Sequence, residues 1–234
     1  MAETTNGTLK LSGSRKTIAE RMLGSLRASA QLSYHAEFDT TALVLARNAW
    51  KDLGIRIGFE DLIIRALCDV LPRHPHLNGT CNDEEATFSS TIDVAVAISA
   101  GDSLFAPVVF DAGEKSLPKI AEARSQLVER AQNRRLSIAE MTGGSITISN
   151  LGQTRVQHFT PIIQGQQIAI IGIGTMTNQP RILADGSIEQ IAMMGLSLTS
   201  DHRFVDGQPS GMFLTDLCDV LENPVPGMSP ESLE

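Results

Sequence analysis

The chain has 234 residues, of which 42% are hydrophobic and 4% aromatic, and a formal net charge of −8. That is apolar material for one large domain or two small ones with a mainly aliphatic core, while the acidic balance excludes general binding to nucleic acid or to an anionic membrane. Cys68, Cys81 and Cys218 are odd in number, widely spaced and without a CxxC pair, which fits neither a disulfide framework nor a zinc site and points to a reducing compartment.

No apolar run approaches the roughly 20 residues of a membrane span, and the start MAETTNGTLKLSGS lacks the pattern of a signal peptide. Residues 1–13 are rich in Thr, Gly and Ser and read as a flexible arm or linker. SRKTIAERMLGSLRAS sets Ile18, Met22, Leu23 and Leu26 on one side of an amphipathic helix, opened by a serine cap at Ser14. SYHAEFDTTAL then alternates as a strand with His35, Glu37 and Asp39 on one face.

TTALVLARNAWKDLG and GFEDLIIRALCDVLPRH read as core-facing helices, stopped at Gly54 and Pro72. TIDVAVAISAGDSLFAPVVFDAG predicts a strand, a glycine-containing turn and a second strand carrying Pro107. Next comes a helix capped by Ser116, with Leu117, Ile120, Leu127 and Ala131 as its apolar stripe and basic residues near its end, where the helix dipole favours them. GGSITISNLG, QQIAIIGIG and IAMMGLSLTS predict further strands, and SGMFLTDLCDVLENP a last helix ending before Pro224. No repeat or internal linker divides the pattern, so the expectation is one α+β domain with a mixed sheet over residues 14–225 and a polar tail over 226–234.

The chemistry concentrates in DHRFVDG. His202 follows a strand and precedes a glycine turn, with Asp206 four residues on. A neutral imidazole can take a proton from a thiol or hydroxyl and return it to a leaving group. Asp201, Arg203 and Asp206 are able to form ion pairs that hold the turn rigid, as a base requires; a lone HxxxDG would equally suit an ordinary loop histidine. A second candidate is ITISNLG, whose strand delivers Ser149 and Asn150 to a turn. Their hydroxyl and amide could stabilise an oxyanion or simply form an Asx or Ser turn. His74 and His76 lack the three or four ligands of a metal site. The GIG at 172–174 lacks the third glycine and following helix of a dinucleotide fingerprint and reads as close strand packing. Neither GxSxG nor GxxxxGK[ST] occurs.

Taken together, SRKTIAERM, HPHLNG, GGSITISNLG, FTPII and LSLTSDHRFVDG, in order from about Leu11 to Pro224, resemble the catalytic domain of the dihydrolipoamide acyltransferases, the core components of 2-oxo acid dehydrogenase complexes. The resemblance implies a chloramphenicol acetyltransferase-like two-layer α+β fold, a homotrimer with active sites at subunit interfaces, and acyl transfer between dihydrolipoamide and coenzyme A without a metal. It implies that His202 is the base, that Asp206 is its partner in the motif, and that Ser149 stabilises the oxyanion. Arg47, Ser149, Asn150 and Gly174 match positions that contact coenzyme A. It further implies assembly into a larger cage, a lipoyl group on a separate or missing domain, decarboxylase and dehydrogenase partners, and a bacterial cytoplasmic or mitochondrial matrix location. The chain departs from the family pattern at Gly58, at Ser99, in GQTRV and in GQQ, around the cofactor and channel regions. A relative using another acceptor and a non-catalytic trimeric scaffold are the alternative readings; retention of His202, Asp206 and Ser149 together speaks against the scaffold.

Overall fold

The alternating runs pair into one six-stranded mixed sheet, and most of the helical runs pack against one of its faces. The structure, a computed structural model, describes residues 4, 5, 7–101 and 103–230. Residues 1–3 and 6 of the expected arm and 231–234 of the expected tail lie outside the described residues.

In chain order the elements are β1 (Thr4–Thr5), β2 (Thr8–Leu9), α1 (Gly13–Ala28), β3 (Gln31–Asp39), α2 (Thr41–Asp52), α3 (Phe59–Val70), β4 (Gly79–Cys81) and β5 (Ala86–Phe88). They are followed by β6 (Val94–Val96), β7 (Ile98–Ala100), β8 (Ser103–Phe105), β9 (Val108–Val109), α4 (Leu117–Gln132), β10 (Ile146–Asn150), β11 (Ala169–Ile182), β12 (Ile188–Asp201) and α5 (Gly207–Glu222). The sheet order is β3-β12-β11-β10-β6-β9, with β11, β10 and β6 parallel and the other pairings antiparallel. The two strands expected around Gly101 are each broken in two, because Pro107 has no N–H to donate and falls between β8 and β9. Its carbonyl still accepts from Val96 N–H at 2.8 Å, which keeps the edge in register.

The register gives the sheet two chemically different faces, since successive side chains point to opposite sides. Ile146 and Ile148 of β10, Ile171 and Ile173 of β11, and Leu196 and Leu198 of β12 share the core with Leu62, Leu67, Ile120, Phe213 and Leu217 from α3, α4 and α5. Truncating a fully buried residue there, such as Phe213 or Leu217, costs about 2–5 kcal/mol because a cavity remains. The opposite face is built from small and polar residues: Thr147 and Ser149, Gly172 and Gly174, Gly195, Ser197 and Thr199, then Ser33, His35 and Glu37. The expected alignment of His35 and Glu37 on one face of their strand is thus present.

That polar face is crossed by the segment carrying FTPII, and the glycines make the crossing possible. A Cβ on Gly174 or Gly195 would collide with the Gln157 carbonyl, and one on Gly172 would meet the Phe159 ring at 2.8 Å. GIG therefore serves close packing, as its sequence suggested, but against a crossing loop more than against a neighbouring strand.

Several helix details differ from expectation. α1 starts at Gly13 after Ser12, and Ser116 occupies the N-cap of α4, yet neither Ser12 nor Ser116 makes a side-chain cap hydrogen bond. The stripe of α4 is buried throughout, whereas in α1 only Ser25 is buried and Leu23 and Leu26 are about half exposed at 50% and 48%. In the segment read as a polar tail, Met228 is fully buried and its carbonyl accepts from Trp50 Nε1 at 2.9 Å. Cys68, Cys81 and Cys218 are free thiols.

Candidate active site

β12 ends on Asp201, which is fully buried and is the anchor of the turn that carries His202. The Arg203 guanidinium donates from Nε to both Asp201 oxygens at 3.0 Å and from Nη2 at 2.7 Å, and the Arg203 and Ala30 N–H groups donate at 3.1 and 3.2 Å. Burial alone would raise the Asp201 pKa, but these hydrogen bonds and the arginine charge outweigh it and hold the carboxyl below its ordinary value. Phe204 and Val205 N–H groups donate to the Asp201 carbonyl, and His202 N–H donates to Ala30 at 2.8 Å. The backbone on both sides of His202 is therefore pinned while its side chain stays 40% exposed.

Asp206 plays a smaller part than the motif suggested. Its carboxylate is 84% exposed and stands 3.8 Å from His202 Nδ1, beyond hydrogen-bond length. It occupies the N-cap of α5 through its backbone carbonyl, which accepts from Ser210 N–H at 3.2 Å. The rigidity expected of the whole charged cluster comes from Asp201 and Arg203.

Ser149, Asn150 and Gly174 form a second group at the far end of β10. Ser149 lies on the polar face in one row with Gly172, Ser197 and His35. Asn150 points the other way: its Nδ2 donates to Glu60 on α3 at 3.0 Å, and its Oδ1 accepts from Gly152 N–H at 2.6 Å, an Asx turn that fixes the strand end. Gly152 in turn lies against Gly174, whose carbonyl would sit 3.1 Å from any Cβ at 152.

Glu60 ties this end to α4, because its other oxygen accepts from Arg124 Nη1 at 2.8 Å while Arg124 Nε donates to the buried Asp61. Burial opposes the charge on Arg124, but its bonds to Asp61 and the two carboxylates raise its pKa. Gly58 leaves the space for this guanidinium, since a Cβ there would lie 3.2 Å from Arg124 Nη2. One turn before the end of α2, Arg47 places its guanidinium 4.8 Å from the centre of the Phe59 ring, next to Glu60 in sequence. Arg47 is exposed and makes no ion pair among the described residues.

The structure thus brings Arg47, Asn150, Gly174 and Ser149 to one end of the sheet and leaves His202 at the other. His202 lies five residues beyond Ser197, which is level with Ser149 two strands away, a separation of roughly 15–20 Å within one chain. The residues that sequence reasoning missed are Glu60, Asp61 and Arg124. FED at a helix start reads as ordinary dipole chemistry, and no linear spacing joins residue 60 to 124 and 150.

His74, the first histidine of HPH, is buried with Nε2 2.9 Å from Asp216 on α5. No cluster of three or more His, Cys, Asp or Glu side chains among the described residues could hold a metal ion, and no helix among them is long and apolar enough to cross a membrane.

Comparison with known proteins identifies the family and the fold. The family described as 2-oxoacid dehydrogenases acyltransferase (catalytic domain) matches residues 3–228. The chain is 32% identical over 225 residues to the dihydrolipoyllysine-residue acetyltransferase component of the Corynebacterium glutamicum pyruvate dehydrogenase complex, covering 92% of this chain and 33% of that protein. It is 31% identical to the succinyltransferase component of the Haemophilus influenzae 2-oxoglutarate dehydrogenase complex, covering 90% of this chain and 52% of that protein. The chain therefore spans between a third and about half of these curated relatives.

Among solved structures, a probable dihydrolipoamide acetyltransferase from Listeria monocytogenes superposes with a TM-score of 0.86 at 31% identity, over 97% of both chains. Azotobacter vinelandii dihydrolipoamide acetyltransferase, in a study of the catalytic role of a serine, a histidine and an asparagine, superposes with a TM-score of 0.86 at 25% identity over 93% of both chains. Chloramphenicol acetyltransferase shares the fold at a TM-score of 0.55 and 18% identity, over 86% of this chain and 94% of that one. With the family pattern running through almost the whole chain and the fold shared throughout, the protein belongs to the 2-oxoacid dehydrogenase acyltransferase family, in its catalytic domain.

Proposed function

We propose that the chain is the acyltransferase domain of a 2-oxo acid dehydrogenase complex, moving an acyl group between dihydrolipoamide and coenzyme A. The observation that carries this reading is the pinned His202 turn in a chain that keeps Ser149 at the end of β10. Two groups 15–20 Å apart within one chain cannot act on one thioester, so His202 of one subunit works with Ser149 of its neighbour in a trimer, by roughly the distance that strand geometry sets.

His202 takes the proton from the attacking thiol, the sulfur bonds to the acyl carbon, and the Ser149 hydroxyl donates to the oxygen as it gains charge. The bond to the leaving sulfur then breaks and the histidine proton passes to that sulfur, leaving the enzyme unchanged. The A. vinelandii enzyme carries an asparagine four residues after its histidine, and Asp206 stands at the same spacing from His202 here. Asn150, Gly174 and Arg47 hold the coenzyme, with Arg47 engaging phosphate oxygens. The lipoyl group arrives on a domain outside this sequence, and decarboxylase and lipoamide dehydrogenase subunits supply and reoxidise it. The acyl group remains one of the short 2-oxo acid products, since acetyl- and succinyltransferases match the chain equally well.

Chromatographic measurement of free coenzyme A and acyl-dihydrolipoamide formed from a panel of acyl-coenzyme A donors and dihydrolipoamide tests the proposal, with His202→Ala expected at background; equal rates for both proteins would end it. Mixing tests the composite site. In random trimers of His202→Ala with Ser149→Ala, each interface recovers an intact pair with a probability of about one quarter. Recovery to about a quarter of wild-type rate is expected, against none if both groups acted within one chain.

A further inference from the structure

On the polar face of the sheet, the side chain that stands beside Ser149 is an aromatic ring. Ser149, Gly172, Ser197 and His35 form one row across β10, β11, β12 and β3. Phe159, on the crossing segment, donates its backbone N–H to Ser197 Oγ at 3.3 Å, while its ring tip stands over Gly172, where a Cβ would lie 2.8 Å from Cζ. The side chain therefore starts above β12, ends above β11 and points along the row toward Ser149. Adjacent strands lie about 5 Å apart, which puts the ring tip about one strand spacing from the serine. A glycine inside a strand marks such a close approach, and Gly172 lets the ring lie against the sheet.

The anchor of this ring is fixed from below. Ser197 is buried, and since its oxygen accepts from Phe159 N–H, its own proton goes to His35 Nδ1 at 2.9 Å. Core packing does not account for the ring. Tyr34, Phe59, Phe105 and Phe204, the other half-buried tyrosine and phenylalanine residues among those described, pack against the hydrophobic core, and Phe159 does not. In this row and the rows on either side of it, the sheet presents the Glu37 carboxylate to the polar face and no lysine or arginine. Those positions offer no counter-ion to an acyl group that ends in a carboxylate.

We propose that the Phe159 ring is a wall of the acyl pocket and that it restricts transfer to the unbranched two-carbon acyl group, acetyl, against branched-chain and succinyl groups. This rests on the acyltransferase reading, which puts the thioester carbonyl oxygen at the Ser149 hydroxyl and so sets the acyl chain beside the ring. One strand spacing leaves room for a methyl group there and meets a branch with the ring edge.

The test compares kcat/KM for acetyl-, isobutyryl- and succinyl-coenzyme A with dihydrolipoamide, reading both products by chromatography, in the wild type, Phe159→Leu and Phe159→Ala. The wild type is expected to favour acetyl over isobutyryl by at least about tenfold, the scale on which a pocket rejects added methyl groups. In Phe159→Ala that ratio is expected to fall to within about threefold, with Phe159→Leu between the two, while the KM for dihydrolipoamide stays unchanged and succinyl remains at least about tenfold below acetyl. Should Phe159→Ala fail to fold by far-ultraviolet circular dichroism, the shift in Phe159→Leu decides. A wild type that transfers isobutyryl or succinyl as well as acetyl, or variants that lose rate with every donor alike and keep the wild-type ratio, would overturn the wall and leave the acyltransferase reading standing. No transfer from any donor by the wild type would end that reading and the wall with it.

Discussion

Replacing Asp201 by Asn tests whether the histidine turn is held as described. The carboxylate is fully buried and accepts from Arg203 side-chain and backbone N–H groups and from Ala30 N–H. Asparagine keeps the volume but removes the charge and turns an NH₂ group toward donors, leaving the guanidinium without its counter-ion. Removing one partner of a buried pair costs about 3–5 kcal/mol. Arg203 is 29% exposed and can rehydrate in part, which places the expected loss near 3 kcal/mol.

For a domain of this size that is a fall in Tm of about 6–12 °C by calorimetry. The pH dependence has a defined sign. The Asp201 pKa is depressed in the fold, so its contribution is present above the unfolded carboxylate value of 3.8 and is lost as pH falls through the lower folded value. The stability gap between wild type and Asp201→Asn should therefore be full at pH 7 and shrink below about pH 4. A Tm within 1 °C of wild type, or a gap that does not narrow in acid, would refute the assignment of the turn's rigidity to this pair.

Ser149→Ala should lower kcat by about 100-fold or more with little change in KM or Tm, as loss of an oxyanion donor does; rapid-quench assays of acyl transfer check it. Arg47→Ala should weaken coenzyme A binding by about tenfold in calorimetry while leaving the far-ultraviolet spectrum unchanged, because the residue is exposed. Gly195→Ala forces a Cβ into the Gln157 carbonyl and should cost about 1–3 kcal/mol in urea unfolding, whereas Gly211→Ala, with open space around it, should not destabilise. Ending the chain at residue 225 removes Met228 and leaves Trp50 Nε1 without its acceptor, an expected loss of about 2–4 kcal/mol by the same assay.

Much of the fold was legible because period and punctuation agreed. The alternation of β3, β10 and the inner halves of β11 and β12 and the buried stripe of α4 follow from residue spacing alone. What spacing could not show is the outer half of the β11–β12 hairpin, where Ile182 and Ile188 are 75% and 70% exposed and no buried face imposes a pattern. α1 reads as an amphipathic helix, yet its apolar residues stay half exposed in one chain. The pattern of a helix reports that a partner surface exists without saying whether the same chain supplies it.

The candidate site divides along the same line. Asp201, His202 and Arg203 are adjacent in sequence, so their turn was readable, although the burden placed jointly on Asp206 belongs to Asp201 and Arg203. Ser149 and Asn150 were also adjacent and were assigned together, but strand alternation sends them to opposite faces: Ser149 to the polar face, Asn150 to Glu60 and the helix layer. That divergence is mechanistically useful. In the proposed function, a coenzyme held beside Asn150 and Arg47 passes the end of β10 and presents its thiol to Ser149 on the polar face. The half-buried tie from Asn150 through Glu60 to Arg124 keeps the strand end in place. Such a tie joins residues 60, 124 and 150, and only packing of α3 between β10 and α4 brings them within reach.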